Sequence, residues 1–425
     1  MKCFKVLDTN IAKKIVKDNI EAAALKVTSR KTSDAVGYTV SDDVFSSEKY
    51  PPYNRSTVDG YAVFSGDVAC AGSSVPSVMK ITGRLRIGEK PGVCVKSGDC
   101  VAIPTGGVVP DGANAVVMIE DVEVLNDEIA VYRPVKPWEN VIRCGEELDK
   151  GSVVMNRGSI ITPVAAGALA GLGIWRVDVF DGIKISVIST GDELVDVSSD
   201  ASDGKIRDVN TTLLSAAIKK DGFDLVFTAR TKDDENEIRN AVSTAVSKSD
   251  VVLISGGSSV GAKDFTERVL SDGEILMHGL AMKPGKPTIL AKIDKTLVVG
   301  LPGNPYAAYM VYNEIISTVV KEIRGQKEKT LDCFSACNFP SVPGRTTLQL
   351  VNVAFDGTRY VATPVFLKSA NLITAMSANG YVRISKDEEG IYKAAPLKVI
   401  PLALSETIKS QPKVWTKRWK RICLL

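Results

Sequence analysis

The stretch Val251-Val-Leu-Ile-Ser-Gly-Gly-Ser-Ser-Val-Gly-Ala-Lys-Asp-Phe265 joins an apolar run to Ser255, Gly256, Gly257 and Ser258, then to Gly261 and Asp264. A strand that enters a glycine turn and then a helix leaves backbone N–H groups aimed at one point. The helix dipole adds positive potential there, which suits a phosphate or another oxyanion. A tight strand–helix turn that needs glycine only for its backbone angles is the other reading, and both stay open on this stretch alone. No Gly-Lys-Ser/Thr follows, so this is not a Walker loop.

Two more turns have the same character. Lys184-Ile-Ser-Val-Ile-Ser189 reads as a strand that ends in Thr190-Gly191-Asp-Glu193-Leu194. Leu297-Val-Val-Gly300 reads as a strand that ends in Leu301-Pro302-Gly303-Asn304-Pro305, where Asn304 suits a helix N-cap and Pro305 the first helical position. In a parallel sheet these three turns converge at one carboxyl edge, where open α/β sheets bind ligands. Glu193, Asp233 and Asp264 can then hold a magnesium ion or orient an attacking group. A lone carboxylate of this kind is ordinarily a helix cap, and Asp233 is expected to cap the helix carrying Ile238, Val242 and Ala245. Lys283 and Lys286 sit among Pro284 and Pro287, so they are loop lysines. They read as anion clamps or as solvated surface lysines.

Outside this region, Asp59-Gly60 marks a sharp turn after Pro51 and Pro52. Ile103-Pro-Thr105-Gly-Gly107 is a turn with a free hydroxyl. Arg143 lies beside Glu146 and Glu147, which reads first as a surface ion pair.

The elements that position these residues follow from periodicity. An amphipathic helix is expected from about Asp8 to Leu25, with Ile11, Ile15, Ile20 and Ala23 on its apolar face. Val63 to Arg133 carries short strands and turns, a small β insertion. Thr162-Pro163 opens a helix of small residues that stops near Gly173. From Ile183 strands and helices alternate, with Asn210 expected to cap the helix to Lys220; this is a three-layer α/β domain with a mainly parallel sheet. Val342 to Val399 reads as a second small β domain. The tail from Lys413 is basic and carries Trp415 and Trp419. It suits an anionic surface or a partner, or a terminal segment with no such role.

Composition bounds the class. The 425 residues call for several domains. Hydrophobic residues make up 44% and charged residues 24%, values of a soluble globular chain. A net charge of +3 argues against bulk electrostatic binding of nucleic acid. No apolar run reaches a membrane span, and the N-terminus has no signal core, so the cytoplasm is the expected compartment. The eight cysteines are scattered and expected to be reduced. The single histidine, His278, excludes multi-histidine metal sites.

Taken together, Pro52–Val63, Ile103–Gly107, Ser189–Leu194, Ser255–Phe265, Lys283–Pro287 and Gly300–Pro305 resemble, in order, the motif set of the molybdopterin molybdenumtransferase (MoeA) family, to which the gephyrin E domain is related. The resemblance covers about residues 5 to 400. It implies four domains: a linker-like domain from residues 1–48 and 145–177, an inserted β domain at 49–144, a molybdopterin-binding α/β domain at 178–328 and a C-terminal β-barrel at 329–405. Residues 406–425, the basic tail, fall outside it. The implied reaction inserts molybdate, or tungstate, into adenylylated molybdopterin with release of AMP. A homodimer is implied, with the active site between subunits. A molybdopterin adenylyltransferase and molybdoenzyme apoproteins are the protein partners this would bring.

Carried over by motif, Asp59, Glu193, Asp233, Asp264 and Lys283 take catalytic positions, and magnesium is expected at Asp59, Glu193 and Asp264. Thr105, Arg143, Glu147, Thr190, Gly191, Ser255, Gly256, Gly257, Ser258, Lys286, Pro302, Gly303, Asn304 and Ser369 are the expected substrate contacts. The chain departs from the family pattern at Glu147, where many relatives have aspartate, at Ala102, where an arginine is common, and at Gly279, where a basic residue is. A dimeric scaffold that binds peptides, as gephyrin-like domains do, is the alternative, and adenylyl transfer by the α/β domain alone is a third reading.

Overall fold

The computed structural model describes residues 6–202, 204–256, 265–367 and 372–402. Gly257, Ser258, Asp264, Ser369 and the basic tail lie outside the described residues.

The N-terminal helix α1 spans Thr9–Ala24, with Asp8 accepting from the Asn10 amide at its start. Its buried face is Ala12, Val16, Ile20 and Ala24, while Ile11 points to solvent. The register is one step away from the sequence expectation, because the small Ala12 and Ala24 allow close approach where Ile11 does not. That face belongs to the same buried cluster as strands of the α/β sheet.

The next segment pairs with residues more than a hundred positions on. Val27–Lys31 runs antiparallel to Arg176–Phe180, and Val44–Phe45 pairs with Val153–Met155. Ala35, Val40, Ile161, Val177 and Val179 close a small core between the two stretches. Ahead of Val44–Phe45, pairing is limited to single bridges at Thr39 and Val40. Helix α2, Pro163–Gly171, has Thr162 as its cap and proline at its first turn.

Between those stretches lies a six-stranded β unit. Its central strand, Gly60–Val63, pairs on one side with Asp99–Ile103 and on the other with Ala115–Met118. Gly60 must be glycine, because a β-carbon there would collide with the Val117 carbonyl.

The α/β domain holds a six-stranded mixed sheet. Asp224–Thr231, Lys184–Thr190, Val251–Ser255 and Thr296–Leu301 are mutually parallel neighbours in that order. Ile289–Ile293 and Glu274–His278 extend it antiparallel, two strands the sequence reading left out. Successive residues of Val251–Ser255 face opposite layers. Val251 and Leu253 pack with Leu214, Ile218 and Val320 on one side; Val252 and Ile254 pack with Ile238, Val242 and Val269 on the other. Apolar runs buried on both faces are what a covered parallel strand requires. The helices are α3 (Val209–Lys220), α4 (Glu235–Val246), α5 (Phe265–Leu270), α6 (Pro305–Val311) and α7 (Thr318–Ile323), with a π-helical turn at Tyr312–Ser317 joining the last two. No described helix is long and apolar enough to cross a membrane.

The C-terminal strands close into a five-stranded barrel. The order is Thr346–Phe355, Tyr360–Pro364, Leu331–Ser335, Pro396–Pro401 and Gly380–Ile384, which returns to Thr346–Phe355. A two-residue strand from the α/β domain, Met282–Lys283, adds to it beside Thr346 and Thr347.

Candidate functional site

Register brings the three expected turns together. Ser189 lies opposite Ser255, and Ser255 lies opposite Leu301, so three parallel strands end level at one rim. Thr190 lies opposite Thr231 on the far side, which brings Asp233 to the same rim. The turns then touch. Gly256 has φ +119°, and a β-carbon on it would run into the Thr190 carbonyl oxygen. A β-carbon on Gly303 would stand 3.8 Å from the Gly256 α-carbon. At position 256 only glycine permits this approach of the turns, which is how a sheet edge exposes amides to an anion. Asn304 accepts from the Ala307 amide at 3.2 Å and starts a helix that continues through the π-turn to Ile323.

The acids are distributed around this rim. The buried Thr190 hydroxyl donates to Asp233 Oδ1 at 2.6 Å. Asp233 does not cap α4; its neighbour Asp234 does, accepting from the amides of Asn236 and Glu237. Freed from capping, the Asp233 carboxylate faces Thr190, and its amide donates to Asp192 Oδ1 at 3.2 Å. Glu193 is exposed, and its carboxylate oxygens fold over Gly191, within 2.8 Å of where a β-carbon would stand.

Asn210 is likewise not a cap. Asp208 caps α3 through the Thr211 amide, and Asn210 sits inside the first turn. Its side chain crosses to Ser255 and Gly303. The Thr211 hydroxyl meets Ser189 at 2.9 Å and donates to Asp208. Asp208, Asn210 and Thr211 were missed as rim residues. The signal was Asp208-Val-Asn-Thr, an acid two residues before the asparagine that outcompetes it for the cap.

Lys283 and Lys286 are both exposed. Their loop is fixed by the Leu280 amide donating to the Lys286 carbonyl at 2.9 Å and the Thr288 hydroxyl donating to the Gly285 carbonyl at 2.7 Å. Lys283 is further held by the short pairing with the barrel.

A second group lies in the inserted domain. Asp59 immediately precedes the Gly60–Val63 strand, and Thr105 follows the end of its antiparallel neighbour Asp99–Ile103. The Thr105 amide donates to Asp59 Oδ1 at 2.7 Å, and its hydroxyl donates to the same oxygen at 3.0 Å. These bonds, the amide first, hold the exposed Asp59 carboxyl below its ordinary range. Arg143 is engaged by Glu146, whose carboxylate also accepts from the Arg143 amide at 2.8 Å. Glu147 stands 3.7 Å from Arg55. Among the described residues, neither Asp59 nor Thr105 bonds to the α/β domain. Also among them, no three His, Cys, Asp or Glu side chains gather as metal ligands.

Comparison with known proteins agrees with this arrangement. Residues 7–173 match the MoeA N-terminal region (domains I and II), residues 186–322 a probable molybdopterin binding domain, and residues 335–402 the MoeA C-terminal region (domain IV). A putative molybdopterin biosynthesis protein of Methanocaldococcus jannaschii is 32% identical over 85% of this chain and 88% of its own length. A molybdopterin molybdenumtransferase of Haemophilus influenzae is 33% identical over 74% of this chain and 78% of its own. A molybdopterin biosynthesis MoeA protein of Pyrococcus horikoshii superposes with a TM-score of 0.77 at 30% identity, covering 93% of this chain and 99% of that one. The chain belongs to the MoeA family of molybdopterin molybdenumtransferases, transferases of molybdenum cofactor biosynthesis.

Proposed function

We propose that this chain inserts molybdate, or tungstate in its place, into adenylylated molybdopterin and releases AMP. The level ending of three glycine-bearing strands carries the reading. The diphosphate lies against the Ser255–Gly256 and Pro302–Asn304 turns, where amides and a helix start stabilise negative charge. Lys283 and Lys286 neutralise its outer oxygens. Hydrolysis of the diphosphate adds water to the AMP phosphorus. The water's proton passes to a rim carboxylate, and the bond from that phosphorus to the bridging oxygen breaks. The bridging oxygen and its electron pair stay on the molybdopterin phosphate, and AMP carrying the water's oxygen is released. Asp233, oriented by Thr190, is placed to accept that proton.

A divalent ion such as magnesium is part of the reading, with Asp59, Glu193 and Asp264 as its expected ligands. Hard carboxylate oxygens suit it. Asp59 keeps Oδ2 uncommitted, since Thr105 engages only Oδ1. Such an ion supplies charge neutralisation at the phosphate oxygens.

The reading also takes a second copy of the chain. Among the described residues, Asp59 and the rim share no bond. Helix α2 is Pro-Val-Ala-Ala-Gly-Ala-Leu-Ala-Gly with only Leu169 buried and Val164 83% exposed. An uncovered apolar helix of small residues is a surface that another copy covers.

One experiment tests both parts. Asp59→Asn and Asp233→Asn are prepared separately and mixed, and molybdate-dependent AMP release from adenylylated molybdopterin is followed. Each alone is inactive, and the mixture regains activity if the site spans two subunits. No recovery on mixing rejects the shared site. No AMP release by the unmodified chain, with or without molybdate, rejects the transferase reading.

A further inference from the structure

Among the described rim side chains outside the six motif stretches, Asn210 bridges two of the turns. Asn210 stands in the first turn of α3, a position where alanine or leucine favours the helix more. Its Nδ2 donates to Ser255 Oγ at 2.6 Å and to the Gly303 carbonyl at 2.9 Å. Those acceptors belong to two different rim turns, which follow two different strands. Its Oδ1 is buried and has no partner among the described residues. A residue serving the helix alone would not leave a buried carbonyl oxygen unmatched, since such a group loses its water without compensation. Ser255 Oγ in turn approaches the Pro302 carbonyl at 3.5 Å, so the amide sits at the crossing of both turns. The helix that carries it is anchored independently, through Asp208 to Thr211 and Thr211 to Ser189.

We infer that Asn210 is a positioning residue: it clamps the Ser255–Gly256 turn to the Pro302–Asn304 turn at the spacing a diphosphate occupies. The inference rests on the proposed substrate. It assigns the cross-bracing of the binding surface to one amide donor, separate from the acids that handle the proton. Asn210 acts on binding through backbone placement and touches neither phosphate nor metal.

Asn210→Asp is the isosteric test, because it exchanges the donor for an acceptor and repels the Gly303 carbonyl. Asn210→Ala removes the amide altogether. Affinity for AMP is measured by calorimetry, with KM and kcat for molybdate-dependent AMP release and amide hydrogen exchange by mass spectrometry. The clamp predicts that AMP affinity falls about tenfold and KM rises about tenfold, the effect of losing well-aligned hydrogen bonds. It predicts kcat within about twofold of the unmodified value, since Asp233 keeps its Thr190 bond. Exchange quickens at the 255–256 and 302–304 turns and not in α4. If Asn210→Ala fails to fold, Asn210→Asp decides alone. Unchanged AMP affinity in both variants overturns the clamp, as does a loss confined to kcat. If the unmodified chain binds no AMP, the substrate reading falls and the clamp with it; normal binding by the variants removes only the clamp.

Discussion

The Thr190 hydroxyl and the Asp233 carboxylate meet at 2.6 Å across the ends of two neighbouring parallel strands. Thr190 is buried, and its rotamer is fixed between the Lys184–Thr190 strand and the Gly256 turn. It therefore presents one donor to one carboxylate oxygen, and in the proposed reaction the other oxygen takes the water's proton. Thr190→Val keeps the shape and deletes the bond. AMP release is expected to fall about tenfold with little change in unfolding temperature. Asp233→Asn removes the proposed proton acceptor itself, and a fall of about a hundredfold or more is expected. Steady-state assays of both variants beside thermal melts check this. A Thr190→Val enzyme as fast as the unmodified chain would detach the pair from the chemistry.

Asp59 depends on Thr105 in a way that titration can read. Its carboxyl is depressed below the ordinary 3.8 because the Thr105 amide, and then the hydroxyl, donate to the charged form. With the folded value below the unfolded one, the contact favours the fold at neutral pH. That contribution fades only below pH 3.8, as pH falls through the folded value. Thr105→Ala deletes the hydroxyl and keeps the amide, so the Asp59 midpoint should rise part of the way back. Carboxyl carbon chemical shifts followed against pH measure it. A midpoint already at the ordinary value in the unmodified chain would mean that the turn does not hold Asp59 in solution.

The strand–turn rim was legible because it is local. Apolar runs such as Val251–Ile254 can be buried only as covered strands, and glycine after a strand marks the turn whichever fold surrounds it. Parallel order then sets Ser189, Ser255 and Leu301 level, which makes the convergence a consequence of topology. The caps were less legible, because adjacent residues compete. Asp208 starts α3 two residues upstream of Asn210 and so places Asn210 inside the first turn, whereas Asp234 lies one residue nearer the start of α4 than Asp233. In both cases the displaced residue became part of the rim. The antiparallel strands Glu274–His278 and Ile289–Ile293 were hidden by short, mixed sequences that gain their order from the sheet edge they join. The face of α1 was misjudged by one position, because only tertiary packing decides between Ile11 and Ala12.

Glu314 gives a stability prediction far from the rim. Its side chain is fully buried in the π-helical turn, with Lys13 of α1 at 2.6 Å and Arg383 of the barrel at 2.9 Å. Arg383 also reaches Glu328 at 2.8 Å, and these two acids hold its guanidinium more firmly charged despite burial. One carboxylate thus ties the N-terminal helix, the α/β domain and the barrel. Glu314→Gln leaves two cations short of a counter-charge and should destabilise by about 3–5 kcal/mol. Glu21→Gln breaks an exposed pair with Lys17 and should cost about 0.5 kcal/mol or less. Urea unfolding of the two variants separates the cases. Equal midpoints would mean that the buried cluster is dispensable.

Gly256 and Gly151 both hold positive φ, +119° and +84°, and differ in what surrounds them. A β-carbon on Gly151 meets nothing within 4 Å, so Gly151→Ala carries only backbone strain, about 1–2 kcal/mol. A β-carbon on Gly256 meets the Thr190 carbonyl, which the sheet and the Asp233 contact prevent from retreating. Gly256→Ala must therefore move the turn itself, carrying Ser255 away from Asn210 and opening the gap to Gly303. Its stability loss should exceed that of Gly151→Ala by about 1–3 kcal/mol. Its loss of AMP affinity should be at least about tenfold, whereas Gly151→Ala binds normally. Calorimetric titration of both variants at a temperature where each is fully folded distinguishes a displaced binding turn from general destabilisation. Normal AMP affinity in folded Gly256→Ala would mean that the diphosphate does not rest on this turn.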